Sequence, residues 1–211
     1  MKIMRISAVI LAFVFVATPM YGQGIRLGVK GGVASSTVYG DAVDDEEVGS
    51  LTRFVGGAFV EFGIAPLLSI QPELLYSLKG GASEGVADAG ELRLAYIEIP
   101  VLAKITLGGA PLRPSIFAGP AVAFNTSCEF EEVASPAVEC DAIPDEDAVE
   151  PKSAEFSAIF GLGFAQSLGP VAFVVDGRYN VGLSSAFDGD DAIKNRAFTL
   201  LAGVSIPLLG L

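Results

Sequence analysis

The sequence predicts an all-β fold, an eight-stranded antiparallel up-and-down transmembrane β-barrel. Three observations carry this reading. Apolar and polar residues alternate with a period of two along most of the chain, which is the period of a β-strand. The alternating segments run to about 12 or 13 residues, whereas strands of globular proteins average about 5–6 and a tilted membrane-spanning strand needs about 9–11. The connections between segments alternate long and short, as they do in outer-membrane barrels, which have short turns on one side and long external loops on the other.

The first 23 residues stand apart. Lys2 and Arg5 precede a 12-residue apolar run, ISAVILAFVFVA at 6–17, followed by the helix-breaking TPMYGQG. This reads as a secretory signal peptide, residues 1–23, with cleavage near Gly22 or Gln23 and the barrel domain at 24–211. The apolar run is too short for a comfortable membrane span, and no later run is long enough for a transmembrane helix.

Eight segments follow, at about 24–36, 52–63, 68–79, 92–105, 113–125, 155–167, 171–183 and 196–207. In the first, Ile25, Leu27 and Val29 oppose Arg26, Gly28 and Lys30. In the second, Phe54, Ala58, Val60 and Phe62 oppose Arg53 and Glu61. The third, SIQPELLYSLKG, sets Ile70, Pro72, Leu74, Tyr76 and Leu78 against Gln71, Glu73, Ser77 and Lys79. In the fourth, Ile97, Ile99, Val101 and Ala103 oppose Tyr96, Glu98 and Lys104. In the fifth, Ile116, Ala118, Val122 and Phe124 oppose Arg113, Ser115 and Asn125. In the sixth, Phe156, Phe160, Leu162 and Phe164 oppose Glu155, Gly161 and Gly163. In the seventh, Phe173, Val175 and Tyr179 oppose Asp176, Arg178 and Asn180. In the last, Phe198, Leu200, Val204 and Ile206 oppose Thr199, Gly203 and Ser205.

Charge within the strand bodies keeps to one parity. Arg26, Lys30, Arg53, Lys79, Lys104, Arg113 and Arg178 share it with Glu61, Glu73, Glu98, Glu155 and Asp176. If the apolar parity meets lipid, these twelve residues form a network in the barrel interior. Eight strands enclose only enough room for side chains, so the network is expected to hold the barrel shut rather than to line a pore. The same alternation would suit a soluble ligand-binding barrel with its oily face inward. Strand length, loop alternation, the export signal and the Gly-rich polar parity favour lipid. Gly56, Gly57, Pro72, Pro100 and Pro120 are expected to mark bulges or kinks.

The long connections, about 37–51, 80–91, 126–154 and 184–195, hold five, three, nine and three of the 25 acidic residues, and the short turns hold none. One rim is therefore anionic and the other nearly neutral. The net charge of −12 argues against nucleic acid as a partner. Asp188, Asp190 and Asp191 are weak candidates for a divalent cation, since the DGDD stretch lacks the spacing of a calcium loop. No firm metal site and no cofactor is expected. Cys128 and Cys140, in CEFEEVASPAVEC, suit a disulfide in an exported protein, worth roughly 3 kcal/mol on the chain-entropy model.

The chain has no histidine, which excludes Ser-His-Asp and Cys-His catalysis. No catalytic residue is assigned. The expected role is that of a non-enzymatic envelope protein, a monomer with membrane lipid as its surroundings. Its acidic loops would serve adhesion or contact with a partner, or bind lipopolysaccharide through divalent cations. A narrow transporter or channel, or a secretion-accessory barrel, is the alternative, and a soluble ligand-binding β-barrel is a further one.

The blocks QPELLYSLKG (71–80), AYIEIPVLAKI (95–105), RPSIFAGPAVAF (113–124) and DGRYNVGLSSAF (176–187) resemble the motif blocks of the PorT-like outer-membrane β-barrel family, in the same order. The resemblance implies an OmpA-like eight-stranded barrel in the outer membrane of a Gram-negative cell. It implies little about activity; one lineage of that family assists protein secretion. The chain ends in Leu211 where outer-membrane barrels commonly carry an aromatic residue.

Overall fold

The computed structural model describes residues 24–39, 51–82, 91–109, 111–131, 138–139, 154–184 and 194–209. Nine strands are found there, and no helix: β1 (Ile25–Tyr39), β2 (Leu51–Ala65), β3 (Leu68–Ala82), β4 (Glu91–Thr106), β5 (Leu112–Glu131), β6 (Val138–Glu139), β7 (Ala154–Leu168), β8 (Val171–Gly182) and β9 (Lys194–Leu209). Each long strand pairs antiparallel with the next. The pairing of β1 with β9 closes the ring, and β6 adds two residues to the far end of β5. The result is a closed eight-stranded barrel with one small appended hairpin. Closure leaves no sheet edge among the eight long strands, so their backbone groups are paired within the wall, as a bilayer requires.

The alternation divides the wall into two faces. Phe54, Leu74, Phe156, Phe160, Leu162, Phe173 and Phe198 point outward and are each more than half exposed. Charged residues of the opposite parity, including Lys30, Glu73, Asp176 and Arg178, are buried inside. A soluble barrel has the reverse arrangement. An outer surface this apolar, on a wall with no second layer against it, is stable only in hydrocarbon.

Short turns join β2 to β3 at 66–67, β4 to β5 at 107–111 and β7 to β8 at 169–170. Gly108 and Gly169 adopt φ of 77° and 66° there, the left-handed region that glycine enters without a Cβ penalty. By the rule for outer-membrane barrels this end faces the periplasm.

The strands differ from the sequence reading in three ways. Several run further toward the long-loop end, with β1 continuing to Tyr39, β3 to Ala82 and β5 to Glu131. There the alternation fades into SSTVY, GGA and TSCEFE, yet ladder pairing continues beyond the apolar band. Second, the prolines shift no register. The β2–β3 ladder passes from Phe59↔Glu73 to Phe62↔Ile70 across Pro72, and the β4–β5 ladder passes from Pro100↔Ala121 to Ala103↔Ala118 across Pro120, in constant register. Proline removes one ladder donor, and the flanking pairs hold the alignment. The register shifts fall instead at Ile25/Arg26, Gly63/Ala65 and Ala95/Tyr96. Third, the inward parity is not only glycine and polar residues. Val55, Phe59, Leu75, Leu102, Phe117, Ile159, Val174 and Leu201 are buried inside.

Cys128 stands in β5, and Cys140 lies outside the described residues. The β5–β6 ladder pairs Glu129 with Glu139 and Phe130 with Val138. The segment 1–23, the acidic stretches 41–47 and 141–150, and Asp188, Asp190 and Asp191 also lie outside the described residues.

Candidate functional site: the charged barrel interior

Three tiers of polar side chains occupy the interior. The middle tier is built from three strands that are not neighbours. Lys30 of β1 donates to Glu73 of β3 at 2.6 Å and to Asp176 of β8 at 2.9 Å. Arg178 of β8 donates to both Glu73 oxygens, at 2.7 and 2.8 Å, and to Asp176 Oδ2 at 2.9 Å. The side chains of all four are at most 5% exposed. Two cations face two carboxylates, so the tier is neutral. The two-pronged Arg178–Glu73 contact is the strong form of such a bond.

Two aromatic rings seat the cations. Lys30 Nζ lies 4.7 Å from the centroid of Phe59, and the Arg178 guanidinium 5.2 Å from that of Phe117. Each ring lies over a glycine: a Cβ added at Gly28 would collide with Phe59, and one at Gly161 with Phe117. Glycine, ring and cation thus form a stack on each side of the cluster, adding cation–π attraction to the ion pairs.

Gln71 links the middle tier to the one below. Its Nε2 donates to Glu73 at 2.6 Å, and its Oε1 accepts from Lys104 at 3.2 Å. Lys104 also donates to Glu61 at 3.0 Å. Arg26 donates to the hydroxyl and carbonyl of Ser205 at 3.2–3.3 Å. Arg113, at the start of β5, shares this level. Near the long-loop end, Tyr96 donates to Glu155 at 2.7 Å, and Asn180 donates to Glu98 at 3.3 Å. Arg53 lies on the same inward face of β2, opposite Ala34, and has interactions of its own. Lys79 stands in β3, and its side chain lies outside the described residues.

Of the twelve charges assigned to the interior parity, four therefore meet in one cluster, two more form a pair below it, and the others are distributed toward the two ends. Tyr96 is fully buried. Tyr76 and Tyr179 point outward and are nearly half exposed. Phe59 and Phe117 were missed as site residues because apolar side chains on a polar parity carry no mark in the sequence. The glycines that accommodate them were the available signal.

Packing of this kind limits what the interior can do. The void beside Arg178, bounded by Leu75, Ser77 and Glu98, measures about 20 Å³, room for about one water molecule. Ions would have to break the middle cluster to pass. Among the described residues, no three potential metal ligands converge.

A closed barrel of this kind has counterparts among known proteins. The family model described as outer membrane protein beta-barrel domain matches residues 18–188. The chain belongs to that family. It is accordingly an outer-membrane β-barrel protein, and the OmpA-like architecture that the sequence motifs implied is the one found. The narrower PorT-like resemblance rests on those motifs alone. No curated protein matches this barrel significantly in sequence. Among solved structures, the barrel is similar to Neisserial surface protein A (NspA), at 14% identity over 89% of this chain and 99% of that one, with a TM-score of 0.51. It is also similar to OprG from Pseudomonas aeruginosa, at 11% identity over 89% and 98% and a TM-score of 0.51. The outer membrane protease OmpT from Escherichia coli is similar at 11% identity over 88% and 97%, with a TM-score of 0.50. At these identities the likeness concerns the fold.

Proposed function

We propose that this outer-membrane barrel is a non-catalytic envelope protein, plugged in its interior, that contacts partners through acidic external loops. The observation that carries the reading is the middle tier, in which four buried charges pair with one another across β1, β3 and β8. A conduit needs water or mobile ions at that level, and here the space is taken by paired side chains and two aromatic rings. The absence of histidine argues against the usual general base, so likeness of fold to a protease does not extend to catalysis.

The loops supply the contact surface in this reading. They concentrate 20 of the 25 acidic residues on the external side, where divalent cations would bridge them to lipopolysaccharide phosphates. Residues 1–23 are removed on export, a Cys128–Cys140 disulfide closes the longest loop, and the barrel acts as a monomer in lipid.

Planar-bilayer recording of the refolded protein tests the plug: no discrete conductance steps are expected, and a stable open channel would refute it. Co-flotation with lipopolysaccharide vesicles tests the loops. Binding that needs calcium and disappears with chelator is expected; binding indifferent to both would remove the cation-bridged contact. Non-reducing peptide mapping and N-terminal sequencing of the exported protein check the disulfide and the processing.

A further inference from the structure

The short-turn end of the interior holds a cavity of about 330 Å³, lined by Arg26, Glu61, Ser69, Thr106 and Arg113 together with the turn residues. Its size is at the lower end for small-molecule sites. Its charge is unlike that of the middle tier. Glu61 is the one carboxylate lining it among the described residues, and Glu61 already accepts from Lys104. Among the described residues, the hydrogen bonds of Arg26 all go to the neutral oxygens of Ser205. Arg113 has a buried Nε with no hydrogen-bond partner, and Ser69, only 5% exposed, has a hydroxyl with none. Three cations thus stand against one carboxylate, in a chain whose net charge is −12.

The backbone is also irregular here. Two of the three register shifts noted in the wall, Ile25/Arg26 and Gly63/Ala65, border this cavity. Bulges re-aim side chains and recur beside functional sites at barrel rims. The first of them immediately precedes Arg26.

We propose that this periplasm-facing vestibule binds a small oxyanion, a phosphate or carboxylate group, through Arg26 and Arg113 with the Ser69 hydroxyl as a further donor. A guanidinium presents a planar fork of donors that matches the oxygens of such groups. Bound there, the anion neutralises the two surplus charges, and a rotation of Arg113 and Ser69 toward the cavity gives their sealed Nε and Oγ the acceptors they lack. The barrel wall separates the cavity from the acyl chains, so the anion enters from the aqueous periplasm. Entry stops at the middle tier, which makes the vestibule a dead-end site and not one mouth of a channel.

The test uses the folded full-length barrel in a phosphate-free maltoside detergent. Inorganic phosphate and acetate are titrated by calorimetry, and lysophosphatidic acid in a parallel arm. Saturable binding of phosphate or acetate is expected, weakened about tenfold or more in Arg113→Gln and in Arg26→Gln. Ser69→Ala should weaken it less, and Arg53→Gln, which removes the same charge at the opposite end, should leave it unchanged. Binding of lysophosphatidic acid alone, lost in Arg113→Gln, would keep the oxyanion site and assign a lipid headgroup as its source. Heat-modifiability gels verify that each variant remains a closed barrel. No saturable binding of any probe at millimolar concentration, or equal binding by folded Arg113→Gln, overturns the proposal.

Discussion

Arg178 and Arg113 are arginines on the inward face of the same barrel, and their surroundings are opposite. Arg178 is held by three oxygen contacts from Glu73 and Asp176 and rests on Phe117. Both keep a buried Nε without a hydrogen-bond partner, but Arg113 lies one level nearer the short turns, beside an open cavity, with no carboxylate hydrogen-bonded to it among the described residues. The difference shows that inward parity alone does not define a role for a buried charge. The middle tier is closed electrostatically and spends its charges on holding the wall. The lower tier has an excess that it does not use internally.

Substitutions that remove a charge from one tier or the other break this comparison most sharply. Glu73 accepts from Lys30, Arg178 and Gln71 at once. Glu73→Ala leaves two buried cations facing one carboxylate, and should destabilise the barrel by about 3–5 kcal/mol, read from the urea unfolding midpoint in lipid vesicles. The double variant Glu73→Leu with Arg178→Met removes one charge of each sign and leaves Lys30 on Asp176. It should recover most of that loss; a double variant as unstable as the single would mean that the cluster acts through shape, not charge balance.

Gly161→Leu probes the seat and not the charge. Its side chain would displace the Phe117 ring beneath Arg178, at a cost of about 1–3 kcal/mol by the same unfolding measurement. The smallest effect is expected at the lower tier. Arg113→Gln gives up no ion pair and relieves repulsion from Arg26, so stability without added anion should stay within about 0.5 kcal/mol of the parent. A loss as large as that of Glu73→Ala would show that Arg113 is structural and erase the contrast.

Much of this was legible from residue order. Period-two alternation placed Lys30, Glu73, Lys104 and Arg178 on one face, and the loop pattern fixed the number of long strands. The partners of those charges were not legible. Lys30 meets Asp176 because closure brings β8 within reach of β1 across β9, and the stagger of strands around a ring has no local mark in sequence. Tyr96 could be read as inward by parity, but its hydroxyl bond to Glu155 depends on the same stagger. Phe59 and Phe117 were hidden because an aromatic residue on a polar parity reads as an irregularity. Only the contact with Gly28 and Gly161 shows that each has a prepared place. The surplus at Arg26 and Arg113 was invisible for a related reason: a count over all inward charges is nearly balanced, and the imbalance exists only at one depth.

The ring closure between β1 and β9 bears on how the chain is assembled. Lys30 and Asp176 are 146 residues apart in sequence, and Glu73 and Arg178 are 105 apart. A partial sheet ending before β8 would carry Lys30 and Glu73 with half their counter-ions missing, at a depth where a lone cation in hydrocarbon costs about 2–4 kcal/mol. Strand-by-strand entry into the bilayer is therefore disfavoured. The nascent wall has to stay sheltered from acyl chains until its final two strands arrive, so that neutralisation of the plug and insertion into the membrane become a single late event.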